Sequence, residues 1–303
     1  KEKNRTLTST DLKHAARSLT EQQRFALKTY ARDISLNMEA PVTVALGRNG
    51  TAEEALAFPT FGYVAEDLGN PPAAEHRGCD CRDDCRTNPT CRCVVRNGQR
   101  SPYLADGTLD LERTNVYECG DGCACADGCT LAQSQRSLQV PVRLAFLEKK
   151  GWGVLYDGQT IMKRGAFLCC YVGEVITEAE YEAREAAKRR AGDETTYAIV
   201  IEGRGREGKG GGGGGGDGGR FVIDSRYVGN VSRLMNHSCD ANLVLRKIYT
   251  GKKYPSLAFF AAHDILPNEE LTWHYTKGQA DKKGTGRGIK CNCGAGAKCK
   301  GFL

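Results

Sequence analysis

The hydrophobic residues between positions 140 and 261 fall into short runs separated by glycines and polar residues. These runs are rich in valine, isoleucine, phenylalanine and tyrosine, which suit a pleated, half-buried surface. The runs are Val142–Phe146, Gly153–Tyr156, Ala166–Val172, Tyr197–Ile201, Arg220–Ile223, Leu243–Ile248 and Ser256–Ala261. Their spacing predicts a mainly β domain of many short strands with a few helices, rather than βαβ units.

Two stretches carry helical signals. Across residues 1–40, apolar side chains recur at roughly helical spacing, which predicts an N-terminal helical packing segment. Further along, Thr177 and Glu180 form a capping box, and the charged stretch that follows ends at Gly192. This second pattern predicts one exposed helix inside the β domain.

Two other segments show neither the helical nor the strand period of hydrophobic residues. Residues 41–78 carry four prolines, which favours an extended approach to the region that follows. Residues 203–219 are dominated by glycine, which buries nothing and costs entropy to order, so a flexible loop between two strands is predicted. A phosphate-binding loop is the alternative, but such loops need a helix after them and usually a Lys-Ser/Thr pair.

Nine cysteines crowd into residues 79–129 in two regular runs. The runs are Cys79-x-Cys81-x3-Cys85-x5-Cys91-x-Cys93 and Cys119-x3-Cys123-x-Cys125-x3-Cys129. An odd number of cysteines cannot close into disulfides without a leftover thiol. Zinc takes four ligands, and nine thiolates satisfy three ions if three of them bridge two ions each. The array therefore predicts a tri-zinc cluster.

A secreted disulfide scaffold is the alternative interpretation of so many cysteines. The chain opens with Lys1-Glu2-Lys3 and has no apolar run near the ~18 residues that a membrane span requires. Neither a signal peptide nor a membrane span is therefore expected, and this favours metal binding over disulfides.

Five motifs follow one another from residue 151 to residue 299. They are Gly151-Trp-Gly-Val154, Tyr171-Val-Gly-Glu174, Asn230-Val-Ser-Arg-Leu-Met-Asn-His-Ser-Cys-Asp-Ala-Asn242, Glu270-Leu-Thr-Trp-His-Tyr275 and Cys291-x-Cys293-x5-Cys299. In this order they resemble the SET-domain protein lysine methyltransferases. The nine-cysteine array is similar to the pre-SET module of that family, and the last three cysteines are similar to its post-SET module.

The resemblance covers about residues 40–303 and points to the suppressor-of-variegation class of histone H3 lysine 9 methyltransferases, in its bifurcated-SET or plant-type branch. It implies a β-clip-like SET fold of small sheets with a triangular tri-zinc cluster and a post-SET zinc site. The residues agree with this second site, because four thiolates complete a zinc tetrahedron. Those thiolates belong to Cys239, Cys291, Cys293 and Cys299. The remaining pair, Cys169 and Cys170, is predicted to be core packing.

The formal net charge of +6 suggests at first a nucleic-acid partner. That count treats every cysteine as neutral, whereas zinc binds thiolates. If both zinc sites are filled, the charge falls by about five, which leaves little positive excess. We therefore infer no direct sequence-specific DNA binding, and we interpret the basic cluster at 188–190 as a solvated helix face.

The resemblance implies S-adenosylmethionine as the methyl donor. It assigns donor binding to Gly151, Trp152, Gly153, Arg233, Asn236 and His237. By the same carry-over, Tyr275 is the catalytic tyrosine and Tyr197 lines the lysine channel, although either ring taken alone could be core packing. The reaction is an in-line attack of a neutral lysine ε-amine on the sulfonium methyl group.

Two residues depart from the family pattern. Trp273 stands in the substrate channel where phenylalanine or tyrosine is usual, and His274 stands where an aspartate is usual. Trp273 lacks the acceptor that would hold a methylation-limiting water, which favours di- or trimethylation, yet its bulk could crowd the channel. Asp224 is a candidate partner for an arginine of the peptide, with a structural salt bridge as the alternative.

These inferences divide the chain into four parts: an N-terminal helical segment 1–40, a pre-SET module 41–139, a SET domain 140–277 and a post-SET module 278–303. The expected function is methyl transfer to a histone H3 tail or nucleosome in nuclear chromatin, with a role in gene silencing. The histone tail is expected to add as a strand at an exposed sheet edge. The alternatives are a SET-fold chromatin-binding module without catalysis and a methyltransferase for a non-histone protein.

Overall fold

The computed structural model describes residues 33–45, 61–69, 78–82, 84–125, 129–147, 150–192, 196–202, 219–275 and 290–302. Most of the helix predicted for 1–40 and most of the glycine-rich run 203–219 lie outside these residues. In the part that is described, no helix is long and apolar enough to cross a membrane.

Short strands dominate the described residues, as the hydrophobic pattern predicts. The strands are β1 (Val42–Ala45), β2 (Gly62–Tyr63), β3 (Asn115–Tyr117), β4 (Val142–Leu147), β5 (Gly151–Tyr156), β6 (Phe167–Tyr171), β7 (Glu174–Thr177), β8 (Ala198–Glu202), β9 (Arg220–Asp224), β10 (Val228–Gly229), β11 (Asn236–His237), β12 (Leu243–Tyr249), β13 (Ser256–Ala261) and β14 (Glu270–Trp273). The two α-helices described are α1 (Arg92–Arg96) and α2 (Glu178–Arg190). All seven predicted strands are confirmed, with small shifts at their ends.

The strands form small sheets rather than one large sheet. Their orders are β1-β4-β5-β14-β11, β3-β12-β13-β6, β7-β9-β8 and β10-β2. Within the first sheet, β14 pairs antiparallel with β5 on one side and parallel with β11 on the other. This arrangement places three motifs that are far apart in sequence on adjacent strands.

Two hydrophobic clusters hold the sheets together. One contains Leu144, Val154 and Phe259, and the other surrounds the cysteines and contains Val116 and Phe260. Phe259 and Phe260 are neighbours on β13 and are both 0% exposed, because successive side chains of a strand point to opposite faces. β13 therefore joins the cysteine-rich cluster to the larger hydrophobic cluster, and each fully buried ring contributes about 1.5–3 kcal/mol.

Helix α2 begins and ends as predicted. The Thr177 side chain accepts a hydrogen bond from the Glu180 backbone N–H at 3.2 Å, and Gly192 adopts a left-handed φ of +73° after the last turn. The prediction that 188–190 is a solvated face is wrong for Lys188, which is 6% exposed and pairs with Glu185 at 3.0 Å. Its stem is buried because α2 lies against β7 and β9.

The segment 41–78 contains regular structure that its prolines concealed. β1 pairs in parallel with β4, from Val42 opposite Val142 to Ala45 opposite Ala145. Val42 and Val44 are buried, so one face of this edge strand joins the core. Four residues are too short for an alternation of apolar and polar positions to stand out from the sequence alone.

Candidate active site and metal centres

All nine cysteines between 79 and 129 are free thiols gathered in one cluster. Three overlapping sets of four sulfurs lie within 4.8 Å of one another. The sets are Cys79/Cys81/Cys85/Cys91, Cys79/Cys91/Cys93/Cys119 and Cys79/Cys85/Cys119/Cys125. Two sulfurs bound to one zinc ion at tetrahedral angles are about 3.8 Å apart. The sulfur of Cys79 lies 3.6 Å from that of Cys85 and 3.9 Å from that of Cys119, so the donors and their spacing fit zinc.

A second set of four sulfurs lies at the other end of the chain. Cys239, Cys291, Cys293 and Cys299 are within 4.8 Å of one another, and the sulfurs of Cys239 and Cys291 are 4.0 Å apart. Lys298 spans the same junction, where its ammonium contacts Asp240 at 2.8 Å. This cluster also fits zinc, and it fastens the C-terminal segment beside β11.

His237 connects this second cluster to the predicted catalytic tyrosine. Its Nδ1 accepts a hydrogen bond from the Tyr275 backbone N–H at 3.1 Å, and its Nε2 lies 3.4 Å from the Cys239 sulfur. Burial lowers the pKa of His237 to about 4, and nearby His274 acts in the same direction. The imidazole is therefore neutral at pH 7, with Nε2 as its donor toward sulfur.

Tyr275 belongs to a wall of aromatic rings. Its ring centroid is 4.8 Å from that of Trp273, which in turn lies 5.4 Å from Phe259 and 6.2 Å from Tyr171. The Tyr275 hydroxyl donates to the Met235 carbonyl at 2.9 Å. Burial raises the pKa of Tyr275 above its usual value of 10. The hydroxyl is therefore neutral and acts as a hydrogen-bonding group rather than as a phenolate.

Tyr197 and Arg233 occupy the next part of this wall. The Tyr171 hydroxyl donates to the Tyr197 carbonyl at 2.6 Å, which joins the two tyrosines. The Arg233 guanidinium lies 4.3 Å from the ring centroids of both Tyr197 and Phe61. It donates through Nε to the Ser225 carbonyl at 2.8 Å. Arg233, predicted as a donor-binding residue, is thus sandwiched between aromatic rings, one of which is the predicted channel residue.

The remaining predicted donor-binding residues meet where β5 approaches β11. The Asn236 amide Nδ2 donates to the Trp152 carbonyl at 3.2 Å and to Glu270 Oε1 at 3.0 Å. A Cβ at position 153 would lie 2.6 Å from Leu147 Cδ1 and 2.8 Å from Asn236 Nδ2, so a larger residue than Gly153 would displace these side chains. Gly151 has a φ of +79°, which also favours glycine.

Asp224 lies deeper than its predicted role suggests. It is 3% exposed, accepts from the Arg226 backbone N–H at 3.0 Å and pairs with Arg184 at 3.3 Å. Arg184 also binds Glu174, on the strand that pairs with β9. These contacts favour the structural salt bridge, because the carboxylate already has partners within the chain.

Sequence reasoning missed three contributors to the site. Glu270 and Lys150 form an ion pair of 2.6 Å next to Asn236, and Phe61 covers Arg233. The sequence motif contains Glu270 as its first residue but does not indicate its contact with Asn236. No pattern in the sequence singles out Lys150 or Phe61, because their neighbours come from distant parts of the chain.

The chain matches two protein-family models, described as Pre-SET motif over residues 37–131 and SET domain over residues 151–276. This chain belongs to the SET-domain family. Its SET domain therefore contains β5 and the whole aromatic wall from Tyr171 to Tyr275. The Pre-SET motif contains all nine clustered cysteines.

Proteins similar to this SET-domain chain carry a consistent name. It is 31% identical over 246 residues to "Histone-lysine N-methyltransferase, H3 lysine-9 specific SUVH6" of Arabidopsis thaliana, covering 74% of this chain and 30% of that protein. It is 26% identical over 311 residues to the "H3 lysine-9 specific dim-5" enzyme of Neurospora crassa, covering 90% and 91%. The chain spans between 26% and 62% of the lengths of three Arabidopsis relatives.

Solved structures share the fold of this SET-domain chain. KRYPTONITE "in complex with mCHH DNA, H3(1-15) peptide and SAH" superposes with a TM-score of 0.67 at 26% identity, covering 90% of this chain and 54% of that one. Arabidopsis thaliana SUVH6 "in complex with SAM" gives 0.69 at 26% identity, covering 94% and 60%. The predicted SET fold is thereby confirmed.

Proposed function

We propose that this chain transfers methyl groups from S-adenosylmethionine to the ε-amine of a lysine in the histone H3 tail, most directly lysine 9. One observation carries the proposal: Tyr275 of the aromatic wall contacts both sides of Asn236, through its hydroxyl to the Met235 carbonyl and through its backbone N–H and ring to His237. The channel for the lysine amine and the site for the methyl donor would thus lie next to each other. Support also comes from relatives named as histone H3 lysine-9 methyltransferases and from neighbours solved with SAM, or with SAH and an H3 peptide.

The donor, when bound, supplies an electrophilic methyl group on a sulfonium. Asn236, His237 and the backbone of 151–153 would hold it, and Arg233 would support the site from behind Tyr197. The aromatic wall would exclude water from the lysine channel. A desolvated lysine ε-ammonium beside a second cation loses its proton more readily than in water, where its pKa is near 10.4.

Tyr275 completes the channel without acting as a base. Its hydroxyl is neutral and is fixed by the Met235 carbonyl, so it can orient the incoming amine and interact with the transferring methyl group. Trp273 presents a ring rather than a hydroxyl to the same region, and we propose di- or trimethylation as the outcome. Mass spectrometry of the modified peptide reports site and multiplicity together.

We further propose four zinc ions. Cys79, Cys85 and Cys119 would be the bridging thiolates of the tri-zinc cluster, because they occur together in one four-sulfur set and each belongs to a second set. Each ion would then take two bridging and two terminal sulfurs. The fourth ion would lie among Cys239 and the last three cysteines. The module boundaries 41–139, 140–277 and 278–303 belong to the same proposal, as does a nuclear, chromatin-bound location.

The peptide would add as a strand to an exposed sheet edge, and β8 at the edge of the β7-β9-β8 sheet is a candidate. A SET-fold binding module without catalysis and a methyltransferase for a non-histone lysine are the alternative functions. Trp273 and His274, the two departures from the family pattern, are the observations that favour a binding module.

Zinc-replete protein incubated with labelled donor and histone H3 tests the proposal. Label should appear on H3 and should be lost when lysine 9 is replaced by arginine. Label that persists on the replaced H3 would indicate another target. Absence of label from metal-replete protein that binds the peptide would favour the binding module.

A further inference from the structure

The Asn236 amide is held in one orientation by two acceptors. Its Nδ2 donates to the Trp152 carbonyl at 3.2 Å and to Glu270 Oε1 at 3.0 Å. A flipped amide would place its oxygen against a carbonyl and a carboxylate, which repel it. Oδ1 accepts no hydrogen bond within the described part of the chain, and the residue is partly exposed. Glu270 thus helps to fix the amide orientation in which Oδ1 of Asn236 can accept a hydrogen bond from a ligand.

Glu270 is itself fixed by Lys150. The ammonium of Lys150 lies 2.6 Å from Glu270 Oε2, and the two side chains are only 19% and 18% exposed. A charged pair with restricted solvent access keeps its geometry better than a freely hydrated one. Lys150 directly precedes Gly151, the first residue of β5, so the pair also ties β5 to the start of β14.

The side chains in this chain of contacts pack closely against Gly153. A Cβ on Gly153 would come within 2.8 Å of Asn236 Nδ2 and 3.2 Å of Glu270 Oε1. The amide and the carboxylate therefore lie flat against the β5 backbone. A Cβ at 153 would therefore displace these two side chains and that of Leu147, whatever the donor contacts.

We propose that Glu270 and Lys150 are positioning residues for donor binding. They hold Asn236 with Oδ1 as a hydrogen-bond acceptor for an N–H group of the bound donor, its ammonium or an amino group. The charge-assisted hydrogen bond from Nδ2 to Glu270 also polarises the Asn236 amide, which strengthens Oδ1 as an acceptor. This inference rests on the proposed function, because it takes Asn236 to be a donor-binding residue.

The test compares Glu270→Gln with Glu269→Gln in zinc-replete protein. Both remove one negative charge at neighbouring positions, but Glu269 makes no side-chain hydrogen bond or ion pair in the described residues. Binding of S-adenosylhomocysteine is measured by calorimetry. E270Q should bind about tenfold more weakly, as expected for the loss of a charge-assisted hydrogen bond, and E269Q should stay within about twofold of wild type. The rate at saturating donor should fall much less than the affinity.

Equal affinity of E270Q and wild type would overturn the inference. Failure of the wild-type protein itself to bind S-adenosylhomocysteine would instead contradict the proposed function. A double-mutant cycle guards against a merely structural effect. Asn236→Asp alone should bind poorly, because two carboxylates then face each other, and adding Glu270→Gln should recover part of that loss by restoring a donor. If the two losses simply add, or if E270Q alone fails to fold, Glu270 is structural and the inference fails.

Discussion

Replacing Tyr275 by phenylalanine separates chemistry from packing at the proposed site. Phenylalanine keeps the ring, and with it the contacts to Trp273 at 4.8 Å and to His237 at 5.3 Å between centroids. Only the hydroxyl and its 2.9 Å hydrogen bond to the Met235 carbonyl are lost. The free energy of unfolding should therefore fall by only about 1 kcal/mol.

The expected loss in rate is far larger. A preorganised group that acts on the transition state contributes about 10²- to 10³-fold to kcat, so Y275F should lose that much while its affinity for S-adenosylhomocysteine changes little. Steady-state kinetics with an H3 peptide and calorimetry measure the two quantities. Tyr254→Phe is the matched control, because Tyr254 is a buried tyrosine of the same core outside the site. Similar losses in kcat and in donor affinity would show that the ring packs and the hydroxyl does no chemistry.

Three further outcomes follow from the structure. Cys299→Ser should remove about one zinc ion per chain by elemental analysis and abolish turnover, with the tri-zinc cluster retained. Phe259→Ala should cost about 3–5 kcal/mol in denaturant titrations, because the ring is fully buried. Burial raises the pKa of Asp67 from 3.8 to about 6, so its favourable contribution exists below pH 3.8 and is lost as pH rises through 6. Asp67→Asn should accordingly raise the unfolding free energy at pH 7.5 by up to about 3 kcal/mol, and the gain should shrink near pH 4.

The sequence was sufficient for the seven strands of five or more residues and for the cysteine sets, and the reason is physical. Strand positions follow from local β-branched and aromatic runs, and metal ligands follow from residue type and spacing. Asp224 shows what residue type and spacing cannot predict. Its carboxylate suggested a role in peptide binding. In the fold it pairs with Arg184 of α2, and Arg184 also pairs with Glu174 of β7. Whether a given carboxylate is exposed depends on how the helices and strands pack. That packing cannot be predicted from the pattern of a single sequence.

The register of the strand pairs explains why the sequence did not predict the role of Glu270, although its motif was recognised. Asn236 lies opposite Thr272 on β14, and β14 lies opposite β5, so residues about 80 and 120 positions apart in the chain meet only after two strand pairings have formed. The same register puts His237 opposite Trp273 and within reach of the Tyr275 backbone and of Cys239. Donor site, lysine channel and C-terminal metal centre therefore share the strand pair β11–β14. A disturbance that shifts this pair should affect all three together, because each of them includes residues on or next to these two strands.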